Sequence, residues 1–324
     1  MHKSSTSWLF CFFLLIPATA KSWGFFAHQR INKLAVFCLP PEMLVFYKAN
    51  ITFIAEHSVD PDKRRYVVPE EAPRHYIDID RYTTPPYDSL PHSWQDAVSR
   101  YTADTLQRHG ILPWHLNTMM YRLTKAFEEK DPARILKLSA DLGHYVADAH
   151  VPLHACSNYN GQFTGQQGIH ALWESRIPEL LADATFNYWV GKATYLNNTD
   201  QANWQTILES ATAADSVLTF EKQLSVRFNP AHRYAYEQRN GKLVRNYATE
   251  YAKAYHQLLN GMVERRMQQS IHRVASCWYT AWVNAGQPSL YKMTKVRFSE
   301  EDQQAFKQLD LQWKIGDNNS GQHE

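Results

Sequence analysis

Glycine is scarce, at 12 of 324 residues, about half the ~7% of an average chain. Sandwiches and barrels need glycine-rich turns, and nucleotide folds need glycine loops, so the deficit speaks against both. No Cys-x-x-C pair occurs among the four cysteines, Cys11, Cys38, Cys156 and Cys277, which excludes a cysteine zinc site and a disulfide scaffold. Formal net charge is only +2, so no strong overall field draws the chain to nucleic acid or to a membrane surface. No stretch reaches the ~18 consecutive apolar residues of a transmembrane helix, and no transmembrane segment is expected. Gly-x-Ser-x-Gly and Walker motifs are missing too, so covalent catalysis has no candidate nucleophile.

What is abundant is aromatic and imidazole chemistry. Ten Trp, 18 Tyr and 15 Phe suffice for a sizeable core, and 15 His make the composition unusual. At the start, His2 and Lys3 precede an apolar run from Trp8 to Ile16, then Pro17 and small residues. This pattern predicts a secretory signal peptide over 1–22. Cleavage is expected after Ala20 or between Ser22 and Trp23, giving a secreted or periplasmic protein. Loss of Cys11 would leave three cysteines and at most one disulfide.

The remainder reads as all-α. Asp131-Pro132 is a helix start, and Ile135, Leu138, Leu142, Tyr145 and Val146 follow at helical spacing up to Pro152. A second pattern runs through Leu243, Tyr247, Tyr251, Tyr255, Leu258 and Met262. After Asn260-Gly261 it resumes as Met267, Ile271, Val274, Trp278 and Trp282. The apolar positions drift without holding a heptad, as on amphipathic helices facing a core. Weak strand-like alternation occurs at 74–79. Segments 59–91 and 152–168 read as surface loops, and 287–324 as a polar tail or appended helix. The expected organisation is therefore one multi-helix domain over 23–286 with few or no strands.

Chemistry concentrates in His144-Tyr-Val-Ala-Asp148-Ala-His150-Val-Pro-Leu-His154 and in His170-Ala-Leu-Trp-Glu174. Each contains a His and a carboxylate four residues apart, on one helix face. Two such pairs plus His154, within 31 residues, predict a site for zinc, which takes nitrogen and oxygen ligands from rigid elements. His150 faces away and is assigned to supporting packing. Upstream stand Trp23-Gly-Phe-Phe-Ala-His28, Asp60-Pro-Asp62-Lys63-Arg64-Arg65 and Arg74-His75-Tyr76-Ile77-Asp78.

In this order the residues resemble the zinc-dependent phospholipase C and fungal single-strand-specific nuclease superfamily. The resemblance spans ligands from 23 to 174 and implies an exported all-α protein with three zinc ions in one cleft. It implies that Trp23, through its free amino group and carbonyl, and His28 bind one zinc. Asp60, His75 and His144 would bind a second, with Asp148 bridging the two, and His154, His170 and Glu174 would hold the third. Asp62 competes with Asp60, and the 15-residue interval from Asp60 to His75 is the nuclease-like choice. The implied activity is hydrolysis of a phosphodiester by zinc-activated water. Asp60 and Asp148 are catalytic candidates, and Lys63 or Arg64 would pair with the phosphate.

Tyr76 and Asp78 match the base-stacking and base-binding positions of the nucleases, so single-stranded nucleic acid or a 3′-nucleotide is the first substrate class. Phospholipid or another phosphate ester is the alternative. Glu174 and the 16-residue gap between His154 and His170 resemble the phospholipases. Where choline-preferring members carry a carboxylate and two aromatics, this chain has Phe26, Pro61 and Ala72. A non-catalytic zinc-binding protein is the reading from another class. No protein partner is predicted.

Overall fold

A computed structural model describes residues 24–239 and 242–319; the expected signal segment and Trp23 lie outside them. The chain forms α1 (Phe25–Ala35), α2 (Pro41–Ala49), α3 (Ile51–Glu56), α4 (Asp60–Arg64), α5 (Trp94–Tyr101), α6 (Ala103–His109) and α7 (Leu112–Glu128). Next come α8 (Pro132–Ala149), α9 (Ile169–Ala171), α10 (Ile177–Thr185) and α11 (Thr199–Arg227). A hairpin of β1 (Tyr234–Arg239) and β2 (Lys242–Tyr247) precedes α12 (Thr249–Leu258), α13 (Met262–Asn284) and α14 (Glu300–Asn319). The fold is all-α but for that antiparallel pair, in which Tyr234 faces Tyr247 and Glu237 faces Val244.

Helix α8 is the axis of the core. The Asp131 carboxylate accepts from the Arg134 amide at 3.0 Å and Pro132 opens the helix, as capping chemistry requires. All eight residues from Leu142 to Ala149 are buried. Three helices anchor on one turn of α8. Tyr47 bonds Ser139 Oγ at 2.8 Å, Trp278 Nε1 donates to the Ser139 carbonyl at 3.0 Å, and Asn32 donates to the Ala140 carbonyl at 3.0 Å. Gly143 then lets α1 come close, since a Cβ there would lie 2.1 Å from Asn32 Oδ1. One residue further, this approach stacks the His28 and His144 rings at 3.9 Å.

The structure revises the sequence expectations in three places. Leu243 and Tyr247 belong to β2, not to a helix. Asn240-Gly241 is the sequence signal of a two-residue hairpin turn, and it outweighs the apolar period there. Residues 74–79 are not a strand: Arg74 and His75 close one 3₁₀ turn, Ala72–His75, and Ile79 opens another, Ile79–Arg81, with 76–78 irregular between them. Segments 59–91 and 152–168 are not merely surface loops, because Asp60, Asp62, Glu71, His75 and His154 within them are buried. Of the two readings of 287–324, the described residues hold the appended helix, α14, which lies along α3 and α4. Phe298 stacks on Phe53 at 4.5 Å, Phe306 packs on His57 at 4.4 Å, and Lys137 pairs with Asp302 at 2.5 Å. Cys38, Cys156 and Cys277 are all free thiols, so the one possible disulfide is not formed.

Two histidines are buried as core groups. His150 is held by the Val146 carbonyl at 2.7 Å, and burial pushes it down to about 3. His115 is also pushed down to about 3, by burial and then by Arg74. Both stay neutral when folded but protonate near 6.5 when unfolded. Their contribution is therefore complete above ~6.5 and is lost as pH falls toward ~3. Urea unfolding at stepped pH should show stability declining below ~6.5, with a shallower decline in His150→Leu. An unchanged slope in that variant would refute the assignment.

Candidate metal centre

The site forms where α1, α4, α8 and the turns at Ala72–His75 and Pro152–Ala155 converge. Pro152 ends α8 and begins the turn that carries His154 back toward it. Three groups of side chains bring their donor atoms within 4.8 Å of one another and can hold a metal ion. They are His28 with His144 and Asp148, Asp62 with His75 and His144, and His154 with His170 and Glu174. Asp148 links them: its Oδ2 lies 2.9 Å from His75 Nδ1 and 3.2 Å from His144 Nε2. Its Oδ1 lies 3.5 Å from His28 Nε2 and 3.7 Å from His154 Nδ1.

The outer nitrogens are fixed by the fold. His144 Nδ1 donates to the Ser58 carbonyl at 2.8 Å, and His154 Nδ1 donates to the His75 carbonyl at 2.7 Å. A neutral imidazole that donates through Nδ1 presents a lone pair at Nε2. Those lone pairs converge: His144 Nε2 is 3.0 Å from His75 Nδ1, and His154 Nε2 is 3.0 Å from His170 Nε2. Glu174 Oε2 closes the latter group at 2.9 Å from His170. Behind His75, Glu71 Oε1 lies 3.7 Å from Nε2. Glu71 also accepts from the Tyr145 hydroxyl and pairs with Arg64 and Arg74. A carboxylate that accepts the ring N–H of a ligating imidazole orients it on a metal; at 3.7 Å Glu71 is an ion-pair neighbour of His75 and supplies charge behind the ring.

The electrostatics fit a cation. Asp148 and Glu174 are fully buried, and among the described residues their ion-pair partners are histidines. Neither oxygen of buried Asp62 accepts a hydrogen bond. Burial opposes charge on His144, but Asp148 and Asp62 outweigh it and push the imidazole up to about 9. Asp148 is held well below the usual carboxylate range because His144 and His154 overcome its burial. Buried carboxylates with facing lone pairs are costly unless a proton or a metal sits between them. The donor set of nitrogen and carboxylate oxygen, without sulfur, is one that first-row divalent ions accept.

Of the nine expected ligands, His28, His75, His144, Asp148, His154, His170 and Glu174 gather here, while Trp23 lies outside the described residues. Asp60 does not join them. Its carboxylate is taken by His57 at 2.6 Å and Lys63 at 2.9 Å, and Asp62 stands in its place. Lys63 is committed on both sides, since it also reaches Asp310 at 2.8 Å. Arg64 pairs with Asp141 at 2.8 Å and with Glu71. Neither cation is free for a phosphate; both brace the carboxylates around the site. Tyr76 and Asp78 stay outside the three groups. Tyr76 donates to the Arg108 carbonyl at 3.3 Å, and Asp78 is bound by His109 at 3.3 Å, its carboxyl pushed up by burial. His150 is core, as its spacing implies. Glu71 was missed, although it sits four residues before His75, the same interval that marks the other two pairs.

No protein-family model matches the chain, and no curated protein matches it.

Proposed function

We propose that this chain is an exported zinc-dependent phosphodiesterase that binds three zinc ions. The observation that carries the reading is Asp148, whose two oxygens face histidines of all three adjoining groups. Zinc, when bound, supplies Lewis acidity toward phosphate oxygens and lowers the pKa of a coordinated water toward ~7. The protein's own residues hold and orient. His28, His144 and Asp148 would hold one ion, Asp62, His75 and His144 a second, and His154, His170 and Glu174 the third. Asp62 takes the place expected of Asp60, and its oxygen not used for the ion could accept a proton from a water. Lys63 and Arg64 hold the surrounding carboxylates in place.

Cleavage of a signal peptide between Ser22 and Trp23 belongs to the same reading, since a free amine at Trp23 would complete the ligand set. Gly24 is buried against Ser175, where a Cβ would meet Ser175 Oγ at 2.8 Å, so the chain enters the fold beside Glu174. Single-stranded nucleic acid or a 3′-nucleotide is the preferred substrate, because half-buried Tyr76 directly follows His75 in the chain and an aromatic ring there could stack on a base. Phospholipid is the second reading, favoured by Glu174 and by Asp78 being already engaged with His109. Purified mature protein offered single-stranded oligonucleotide, 3′-nucleotide and phosphatidylcholine in parallel should cleave the nucleic-acid substrates. Cleavage of lipid alone would reverse the preference, and zinc-loaded protein that cleaves none would point to a non-catalytic zinc binder.

A further inference from the structure

A second recess lies away from the metal centre, between the N-terminus of α5, the outer face of α7 and the start of α11. Its volume is ≈ 610 Å³, and it is lined by Trp94, Trp114, Tyr121, Asn117, His92 and Asp200 among others. That volume falls within the ~300–1,000 Å³ of small-molecule sites. Trp94 and Tyr121 are 37% and 64% exposed, whereas Trp114 is buried and meets Trp94 at an interplanar angle of 70°. The polar rim is preorganised. Asp200 accepts from His92 at 2.9 Å and from Asn117 at 2.6 Å, and Asn203 in turn donates to Asn117 at 2.9 Å.

We propose that this recess binds a neutral sugar ring. The C–H face of a pyranose is apolar and lies flat on an exposed aromatic ring, while its hydroxyls need both donors and acceptors around the edge. The recess offers that combination. Anions are disfavoured by the Asp200 carboxylate. Organic cations are disfavoured because the Lys125 ammonium already sits 5.8 Å from the Tyr121 ring. The neighbouring indoles stand nearly at right angles, at 70° and 82°, so they form no parallel-walled slot that would sandwich a nucleobase.

The inference does not depend on the metal-centre reading. The full zinc-loaded chain should be titrated by calorimetry and saturation-transfer NMR with methyl glucoside, methyl galactoside, methyl mannoside and N-acetylglucosamine, with cytidine and choline as comparison arms. Saturable binding of at least one sugar is expected, weakened about tenfold or more in Trp94→Ala and in Tyr121→Ala. Both side chains are exposed enough for these variants to fold, which circular dichroism and an unchanged zinc content would verify. Absence of saturable sugar binding, undiminished binding in both variants, or preferential binding of cytidine or choline there would overturn the proposal.

Discussion

Asp148→Asn is expected to strip metal from the two groups that share His144 while leaving the group of His154, His170 and Glu174 loaded. Zinc analysis of purified wild-type and variant protein should show this as a partial, not complete, loss. Phosphodiesterase activity should fall by more than the ~100-fold that outer partners of metal ligands reach, because this carboxylate faces the ions themselves. A second effect should be visible without metal. Asp148 is the largest favourable influence on His144, which stands near 9 against the pull of burial. In metal-free wild type, the stability from that raised value is complete below ~6.5 and fades as pH climbs through ~9. The variant should lose about 3–5 kcal/mol at neutral pH, the usual result of leaving a buried charge without its partner, and should show a flatter profile. Wild-type zinc content in the variant would sink the bridging role.

Glu71 carries the second large expectation. The substitution Glu71→Gln keeps shape but removes charge behind His75, and zinc affinity measured by chelator competition should drop about 10–100-fold. Glu71→Ala should go further. With the carboxylate gone, Arg64, Arg74 and the Tyr145 hydroxyl lose their common partner in a buried location, and thermal unfolding should reveal a loss of about 3–5 kcal/mol. If Glu71→Gln bound zinc with wild-type affinity, the carboxylate would be structural only.

The parts of the site that were legible from sequence are those whose geometry is local. His144 with Asp148, and His170 with Glu174, are each fixed by four residues of helix, and the fold only had to bring the pairs together. His154 was legible because Pro152 stops α8 and turns the chain. Asp60 and Asp62 show where local reasoning ends. They are two positions apart on the short helix α4, so about 200° separates their directions. Which one faces His75 depends on how α4 docks, and His57, three residues upstream of Asp60, decides it by taking that carboxylate. Lys63 and Arg64 read as phosphate ligands for the same reason: Asp310 and Asp141, their partners, are distant in sequence. The tail was ambiguous because the stripe of Asp302, Phe306, Leu309 and Trp313 on α14 is only half-buried, a weaker period than a core helix writes.

Between α9 and α10 the helix widens into a π turn at Leu172–Arg176. Pro178 accounts for it, since its ring cannot donate to, and crowds, the carbonyl of Glu174 four residues earlier. Such a turn holds one residue more than the regular spiral. Shortening it by one would rotate all that follows by about 100° relative to His170. Insertions and deletions in this stretch are therefore tied to the donor group: a lineage that regularised the helix would turn Glu174 away from His154 and His170, or need another acid in its place.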